Sequence, residues 1–181
     1  MLTNIPDIRF QHCVKFILEH EGGLSQDKRD PGGTTQWGIS LRYLKSIGHD
    51  VNGDGVINDE DIIGLPKEGA IEIYRKYWWE KFNYNAFNEL IVVEKVFDMA
   101  VNFGGFGAHK LLQIAINRMK DKPIRVDGLL GGITIGAANS LHGRELRQQL
   151  RECAEHRYIE IIANNPEMVV FKRGWMNRAA W

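Results

Sequence analysis

The sequence predicts a mainly α-helical protein. Apolar residues recur at spacings of three and four along most of the chain, which is the period of an amphipathic helix. Glycine-rich and Asp/Asn-rich breaks separate these stretches. The chain has 181 residues, of which 44% are hydrophobic and 25% charged, so it can bury a core without disulfides. Its two cysteines, Cys13 and Cys153, fall inside predicted helices and are expected to be buried and unpaired.

The first predicted helix covers residues 6–21. Its apolar positions follow helical spacing, and Gly22-Gly23 provides the stop. These positions are Phe10, Val14, Ile17 and Leu18. Glu21 therefore lies in the last turn, against the negative end of the helix dipole.

The segment 24–39 is polar and rich in turn formers, which predicts a loop or a short hairpin rather than a helix. A short helix at 41–47, an Asp/Asn/Gly loop at 50–61 and a helix from Pro66 to about Phe82 follow. The last of these carries Ile73, Tyr74, Tyr77 and Trp78 on one face.

The second half repeats the helical pattern, with glycine-rich breaks at 104–107 and 128–136. We place a soft boundary near Asn88–Ile91, which gives a first region at 6–90 and a helical second region at 91–178. No polar or low-complexity linker separates them, so we expect the two regions to pack against each other.

Charge and hydropathy exclude two classes of partner. The chain carries 23 basic and 23 acidic residues, so nothing favours nucleic acid. No stretch approaches about 18 uninterrupted apolar residues, so we expect no membrane insertion. Residues 1–10 lack the basic and apolar regions of a signal peptide. We therefore expect synthesis in the cytoplasm without a visible export signal.

Glu21 is the candidate acid catalyst. The C-terminal end of a helix disfavours a carboxylate by at most about 1 kcal/mol at an exposed site, so desolvation by an apolar flank such as Trp37 must raise the pKa further. Asp30 is the nearest plausible partner carboxylate, and the Thr34 and Thr35 hydroxyls can orient a water. Two such polar groups are what glycoside hydrolysis requires. A surface glutamate before a glycine-rich turn is the alternative.

The motif around these residues resembles glycoside hydrolase family 108. The resemblance lies in Glu21-Gly22-Gly23, Asp30-Pro31-Gly32-Gly33, Thr35 and Trp37-Gly38-Ile39, and it continues through 73–79. It implies a lysozyme-like fold and N-acetylmuramidase activity on peptidoglycan. The order of glutamate, aspartate and threonine is also similar to phage-type lysozymes, although the step from Asp30 to Thr35 is one residue shorter. The resemblance makes Glu21, Asp30 and Thr35 the catalytic candidates and Trp37 a substrate contact.

The loop at 50–61 has the pattern of an EF-hand. Acidic and amide side chains stand at positions 1, 3, 5 and 12, with Gly55 at position 6. The predicted ligands of a structural Ca²⁺ are Asp50, Asn52, Asp54, the Val56 carbonyl and Asp61. Asp61 replaces the usual glutamate at position 12, as in dockerin loops. A solvated turn that binds no metal is the alternative.

Further substrate contacts are predicted from two patterns. Trp79 and Tyr84 are candidate sugar platforms in an aromatic-rich region where most rings are expected to be core. Asp98 and Asn102 share a helix face one turn apart, so they either line a groove or cap the glycine-rich turn that follows.

Residues from about 92 to 178 resemble the predicted peptidoglycan-binding domain that accompanies family 108, whose members are also described as putative secretion activators. We therefore predict a lysozyme-type muramidase that cleaves the β-1,4 bond from N-acetylmuramic acid to N-acetylglucosamine. It would act as an endolysin or assist secretion, and a holin or a secretion apparatus would deliver it to the wall. A non-catalytic, calcium-stabilised wall-binding module and a lytic transglycosylase are the alternatives.

Overall fold

The computed structural model describes residues 7–20, 23–26 and 32–181. The chain divides into two compact units, the first ending at Lys81 and the second beginning at Phe82. The mainly α-helical class is confirmed, and among the residues described no helix is long and apolar enough to cross a membrane. Both cysteines are buried and free, as predicted. The expected packing of the two regions stays a prediction.

The first unit begins with helix α1, Ile8–His20. Asp7 caps its N-terminus, because one carboxylate oxygen accepts a hydrogen bond from the Phe10 amide at 3.1 Å. The apolar positions predicted from the spacing are all buried. The helix therefore follows the prediction, and its last described residue directly precedes Glu21.

A two-stranded antiparallel sheet follows, formed by β1, Thr35–Gln36, and β2, Ile39–Ser40. Thr35 pairs with Ser40 and Gln36 with Ile39, so Trp37 and Gly38 form the turn. An isolated bridge joins Ser25 to Thr35 on the other side. The predicted hairpin is therefore present at the end of the polar segment.

Three short α-helices follow in the first unit: α2, Leu41–Ile47, α3, Asp59–Ile63, and α4, Lys67–Tyr74. The Ser40 hydroxyl caps α2, and Gly48 ends it in the left-handed conformation at φ 62°. The bounds of α2 match the predicted helix.

The predicted helix at 66–82 changes its winding after Tyr74. Arg75–Glu80 is π-helical, so residues five apart are brought onto one side. As a result Tyr74, Trp78 and Trp79 are all buried, whereas Tyr77 is only partly covered. An α-helix would have turned Trp79 away from the face shared by Tyr74 and Trp78.

The second unit is built on α5, Leu90–Met119, and α7, Gly143–Asn164. Gly104 interrupts α5 with φ 72° and ψ 155°, which confirms the predicted break there. Short 3₁₀ turns precede α5 and follow α7, at Tyr84–Ala86 and Pro166–Phe171. Helices α6, Gly132–Asn139, and α8, Lys172–Ala180, complete the unit. The predicted break at 128–136 is therefore wrong from Gly132 onward, because burial of Ile135, Ala137 and Ala138 stabilises a helix there despite its glycines.

The core of the second unit lies between α5 and α7. Leu112, Ala115 and Ile116 of α5 are fully buried, as are Leu146 and Leu150 of α7. Their spacing of three and four residues is the pattern from which the helices were predicted. Burial of these side chains removes apolar surface from water and stabilises the helix pair.

Candidate functional site

The structure describes residues on both sides of the two candidate carboxylates, Glu21 and Asp30, along the sequence. Glu21 and Asp30 themselves lie outside the described residues. On one side α1 ends at His20, the residue before Glu21, and on the other β1 begins at Thr35, five residues after Asp30.

Thr35 is held in the small sheet by its backbone. Its amide donates to the Ser25 carbonyl at 2.9 Å, and its carbonyl accepts from the Ser25 amide at 2.8 Å. The hydroxyl donates to the Gly33 carbonyl at 3.1 Å, which leaves its oxygen able to accept a further hydrogen bond. Thr35 is half-buried, whereas its neighbour Thr34 is buried. Of the two threonines, Thr35 is the one with access to solvent.

Trp37 occupies a strained position. It has φ 54° and is followed by Gly38 at φ 76°, so both turn residues are left-handed, as a tight two-residue hairpin requires. This conformation costs a bulky L-residue of order 1 kcal/mol and persists only where surrounding contacts impose it. Strained residues of this kind concentrate at functional sites.

Three contacts impose that conformation on Trp37. Its indole Nε1 donates to the Leu65 carbonyl at 3.1 Å, and its own carbonyl accepts from the Tyr74 hydroxyl at 3.0 Å. The Lys67 ammonium lies 5.9 Å from the ring centroid. The result is a half-buried indole in a fixed orientation beside Thr35.

Sequence reasoning missed the anchor that this turn uses. The Gln36 side-chain amide donates to the same Leu65 carbonyl at 2.7 Å, so one carbonyl ties down two successive residues of the hairpin. Leu65 is 29 positions away, and no local pattern relates it to Gln36. The only available signal was the Leu65-Pro66 step, which marks the end of a loop before α4.

The loop at 50–61 is closed by hydrogen bonds from its own backbone. The Asp50 carboxylate accepts from the Gly53 and Gly55 amides, both at 2.7 Å, and Asp54 accepts from the Val56 amide at 2.8 Å. The Asn52 side chain donates through Nδ2 to the Asp54 carboxylate at 3.1 Å and accepts through Oδ1 from the Asp54 amide at 2.9 Å. Each of these side-chain oxygens accepts a hydrogen bond, and a carboxylate oxygen that accepts one bond still has a lone pair for a further partner.

Asp61 closes the loop from the start of α3. Its carboxylate accepts from the Val51, Asn52 and Asn58 amides at 2.8, 3.3 and 2.8 Å. Burial raises the pKa of Asp61, but these backbone bonds outweigh it and hold the pKa below its usual value. No group of three or more His, Cys, Asp or Glu within the described ranges is gathered to hold a metal. Calcium binding therefore stays a prediction.

Trp79 and Tyr84 are core residues rather than sugar platforms. Trp79 is 1% exposed, because the π-helical turn directs it inward, and its indole donates to Asp7 Oδ2 at 2.8 Å. Tyr84 is fully buried in the second unit, and its hydroxyl lies 3.0 Å from His109 Nε2. Both polar tips have partners inside the protein, as buried Tyr and Trp usually do.

Asp98 serves a buried ion-pair network and does not face a groove. It is 2% exposed, with the Arg178 Nε at 2.8 Å and the Lys95 Nζ at 3.4 Å. Asn102 is exposed, and its side-chain amide donates to the Asp98 carbonyl at 2.8 Å. The shared helix face is therefore real, but only Asn102 is available to a ligand.

Comparison with known proteins agrees with this architecture. The family model of glycosyl hydrolase 108 matches residues 14–104, and that of a predicted peptidoglycan domain matches residues 107–180. The two matches meet at the break in α5. No curated protein sequence matches the chain.

A solved structure, that of Brucella abortus SagA, is similar with a TM-score of 0.76 and 25% identity. The match covers 94% of this chain and 89% of that one. The predicted lysozyme-like helical fold is confirmed, and the matches indicate a glycoside hydrolase that acts on peptidoglycan. With a family match over half of its length, the chain belongs to glycosyl hydrolase family 108.

Proposed function

We propose that the protein is an N-acetylmuramidase that hydrolyses the β-1,4 bond from N-acetylmuramic acid to N-acetylglucosamine. Glu21 donates a proton to the leaving oxygen, while Asp30 and Thr35 handle the attacking water or the developing cation. The observation that carries the proposal is the family match over residues 14–104, which contain all three candidates.

The described geometry supports this division of roles. Helix α1 runs up to the residue before Glu21, and the C-terminal end of a helix disfavours a carboxylate charge because the negative end of the helix dipole lies there. The Thr35 hydroxyl is partly accessible and can accept a hydrogen bond from a water. A second polar group near the acid is what the reaction needs.

Trp37 is the proposed sugar contact. Its indole is anchored through Nε1 and its backbone is anchored through the carbonyl, so little side-chain entropy remains to be lost on binding. An aromatic ring held in one orientation is a suitable apolar surface for a pyranose face. The strain at φ 54° is consistent with a position maintained for binding.

The test is Glu21→Gln on purified peptidoglycan. Glutamine keeps the size of the side chain but has no acidic proton, so the hydrolytic rate should fall by about 10² to 10⁴ while the fold is retained. Glu19→Gln is the matched control, because Glu19 is an exposed carboxylate on α1 that forms an exposed ion pair with Lys15 at 3.8 Å. It should leave the rate unchanged.

Mass spectrometry of the products separates the alternatives. A muramidase releases reducing N-acetylmuramic acid ends, and a lytic transglycosylase releases 1,6-anhydro ends. A wall-binding module releases neither. Near wild-type release of reducing ends by Glu21→Gln would refute the assignment of the acid.

We further propose that the protein acts on the wall as an endolysin or in opening it for secretion, with a holin or secretion apparatus providing passage. The support is the predicted peptidoglycan domain at 107–180. Expression in a bacterial host should cause lysis only when a holin is co-expressed. Lysis without the pore would contradict the need for a delivery partner.

A further inference from the structure

The second unit contains a groove that the catalytic proposal does not use. It lies between the C-terminal half of α5 and the C-terminal half of α7 and has a volume of about 600 Å³, within the usual range of ligand sites. Its floor is apolar and is formed by Leu111, Ile114 and Ile161. Asn102, the one member of the predicted polar pair that is exposed, lies at one end.

Phe106 forms one wall of this groove and is 57% exposed, an unusual state for a large apolar ring. The ring is nevertheless held in place. It lies so close to Gly128 that a Cβ there would come within 2.6 Å of the ring, and Gly128 has φ 76°. The Lys110 ammonium lies 4.5 Å from the ring centroid.

The charged groups of the groove are on opposite sides. Lys110 lies on α5, beside Phe106. Arg157 and Glu160 lie on α7 and form an exposed ion pair at 3.2 Å. An exposed pair of this kind contributes little to stability, so its members can exchange partners with a ligand at small cost. The lining thus offers two cations, one carboxylate and an apolar floor.

We propose that this groove binds the stem peptide of peptidoglycan, an inference that rests on the proposed action of the protein on peptidoglycan. The neutral glycan backbone gains little from cations on both walls. The stem peptide is short, has small apolar side chains and carries several carboxylates. Its diamino acid adds an ammonium group when it is not cross-linked. Carboxylates pair with Lys110 and Arg157, and the ammonium pairs with Glu160.

Binding is tested on the full chain with the free tetrapeptide L-Ala-γ-D-Glu-diaminopimelate-D-Ala and, separately, with the N-acetylglucosamine tetramer. By calorimetry the tetrapeptide should bind, and Lys110→Ala and Arg157→Ala should each weaken it about tenfold, as expected for loss of a charge-assisted hydrogen bond. Arg144→Ala is the control, since Arg144 is exposed on the same helix α7 outside the groove. It should leave the affinity unchanged.

The orientation is tested on tetrapeptides whose N-terminal L-Ala amine is acetylated, since that amine is amide-linked in the wall, and whose diaminopimelate amine is either free or acetylated as well. Glu160→Gln should weaken binding of the peptide with the free diaminopimelate ammonium but not of the doubly acetylated one. Equal effects on both would exclude the ammonium contact and overturn that part of the proposal. Binding of the sugar tetramer alone, with sensitivity to Phe106→Ala, would overturn the peptide assignment and make the groove a glycan subsite.

This inference and the catalytic one fail separately. Glu21→Gln should abolish hydrolysis and leave the tetrapeptide affinity unchanged. Lys110→Ala should raise KM on intact peptidoglycan but not on glycan stripped of peptides by an amidase. If the wild type hydrolyses peptidoglycan but does not bind the tetrapeptide, only the proposal of peptide binding in the groove is refuted. If it binds the tetrapeptide but does not hydrolyse peptidoglycan, only the proposal of muramidase activity is refuted.

Discussion

Asp61 in the first unit and Asp98 in the second are both buried carboxylates, with 0% and 2% exposure, yet they are stabilised in different ways. Asp61 accepts three backbone amides from residues at most ten positions away. Asp98 is paired with Lys95 and with Arg178, which is 80 positions away. One carboxylate is satisfied by a local loop and the other by the tertiary fold.

The difference has energetic consequences. Among the residues that the structure describes, the hydrogen-bond partners of the Asp61 carboxylate are backbone amides rather than charged side chains. Lys95 is fully buried, and burial lowers its pKa even though Asp98 partly offsets this effect. Lys95 also donates to the Arg178 carbonyl at 2.7 Å. Removing one partner of such a network leaves a buried charge uncompensated, whereas removing a loop cap leaves only amides to be rehydrated.

The largest expected effect is that of Asp98→Asn. Loss of the charge leaves Lys95 and Arg178 without their buried anion and should lower the free energy of unfolding by about 3 to 5 kcal/mol. Urea denaturation followed by circular dichroism measures this. Asp121→Asn, at an exposed aspartate in the loop after α5, is the control and should change stability by less than about 0.5 kcal/mol. If Asp98→Asn were as stable as Asp121→Asn, the buried ion pairs of Asp98 would not be the stabilising contacts that the comparison with Asp61 assumes.

His109 extends the comparison to a buried group that is kept neutral. Burial lowers its pKa to about 4, although a hydrogen bond with the Gly128 backbone opposes the shift. The unfolded value is near 6.5, so the folded state loses about 3 kcal/mol as the pH falls from 6.5 to 4 and keeps it above 6.5. Denaturation midpoints across this range should show the loss. His109→Gln should remove this loss of stability at low pH. His156→Gln, at an exposed histidine, should leave the loss as it is in the wild type.

Adding Ca²⁺ tests whether the loop at 50–61 is stabilised by its backbone hydrogen bonds alone or also by a bound metal ion. If the loop binds Ca²⁺ as its sequence pattern predicts, Ca²⁺ at 100 times its dissociation constant stabilises the fold by about 2.7 kcal/mol. The melting temperature should then rise relative to a chelator, and Asp54→Asn should abolish the rise. An identical melting temperature in calcium and chelator would show that backbone amides alone close the loop.

The smallest expected effect is that of Asp61→Asn. It removes part of the capping box of α3 and should cost about 0.5 to 2 kcal/mol, less than Asp98→Asn. Because the folded pKa of Asp61 lies below its unfolded value, the carboxylate stabilises the fold above the unfolded pKa near 3.9. That stability is lost as the pH falls through the folded pKa. Asp59→Asn, at an exposed neighbour in the first turn of α3, loses only its interaction with the helix dipole and should cost less than Asp61→Asn.

Local patterns in the sequence were sufficient for most of the helices. Periodicity predicted α1, α2, α5 and α7, because each buries one face and its residues repeat every three or four positions. The hairpin followed from the polar, turn-rich segment, and the break at Gly104 followed from its glycines. The family motif made Glu21, Asp30 and Thr35 the catalytic candidates without any three-dimensional information.

The tertiary structure decided which polar and aromatic residues are buried. Trp79 entered the core because Arg75–Glu80 winds as a π-helix, a change that no periodicity announces. Asp98 became an ion-pair partner because the fold brings Arg178 to it, and Gln36 found its anchor at Leu65. The groove beside Phe106 exists only because α5 and α7 lie side by side. Helical periodicity is a property of neighbouring residues, whereas burial, pairing and grooves depend on which distant segments meet.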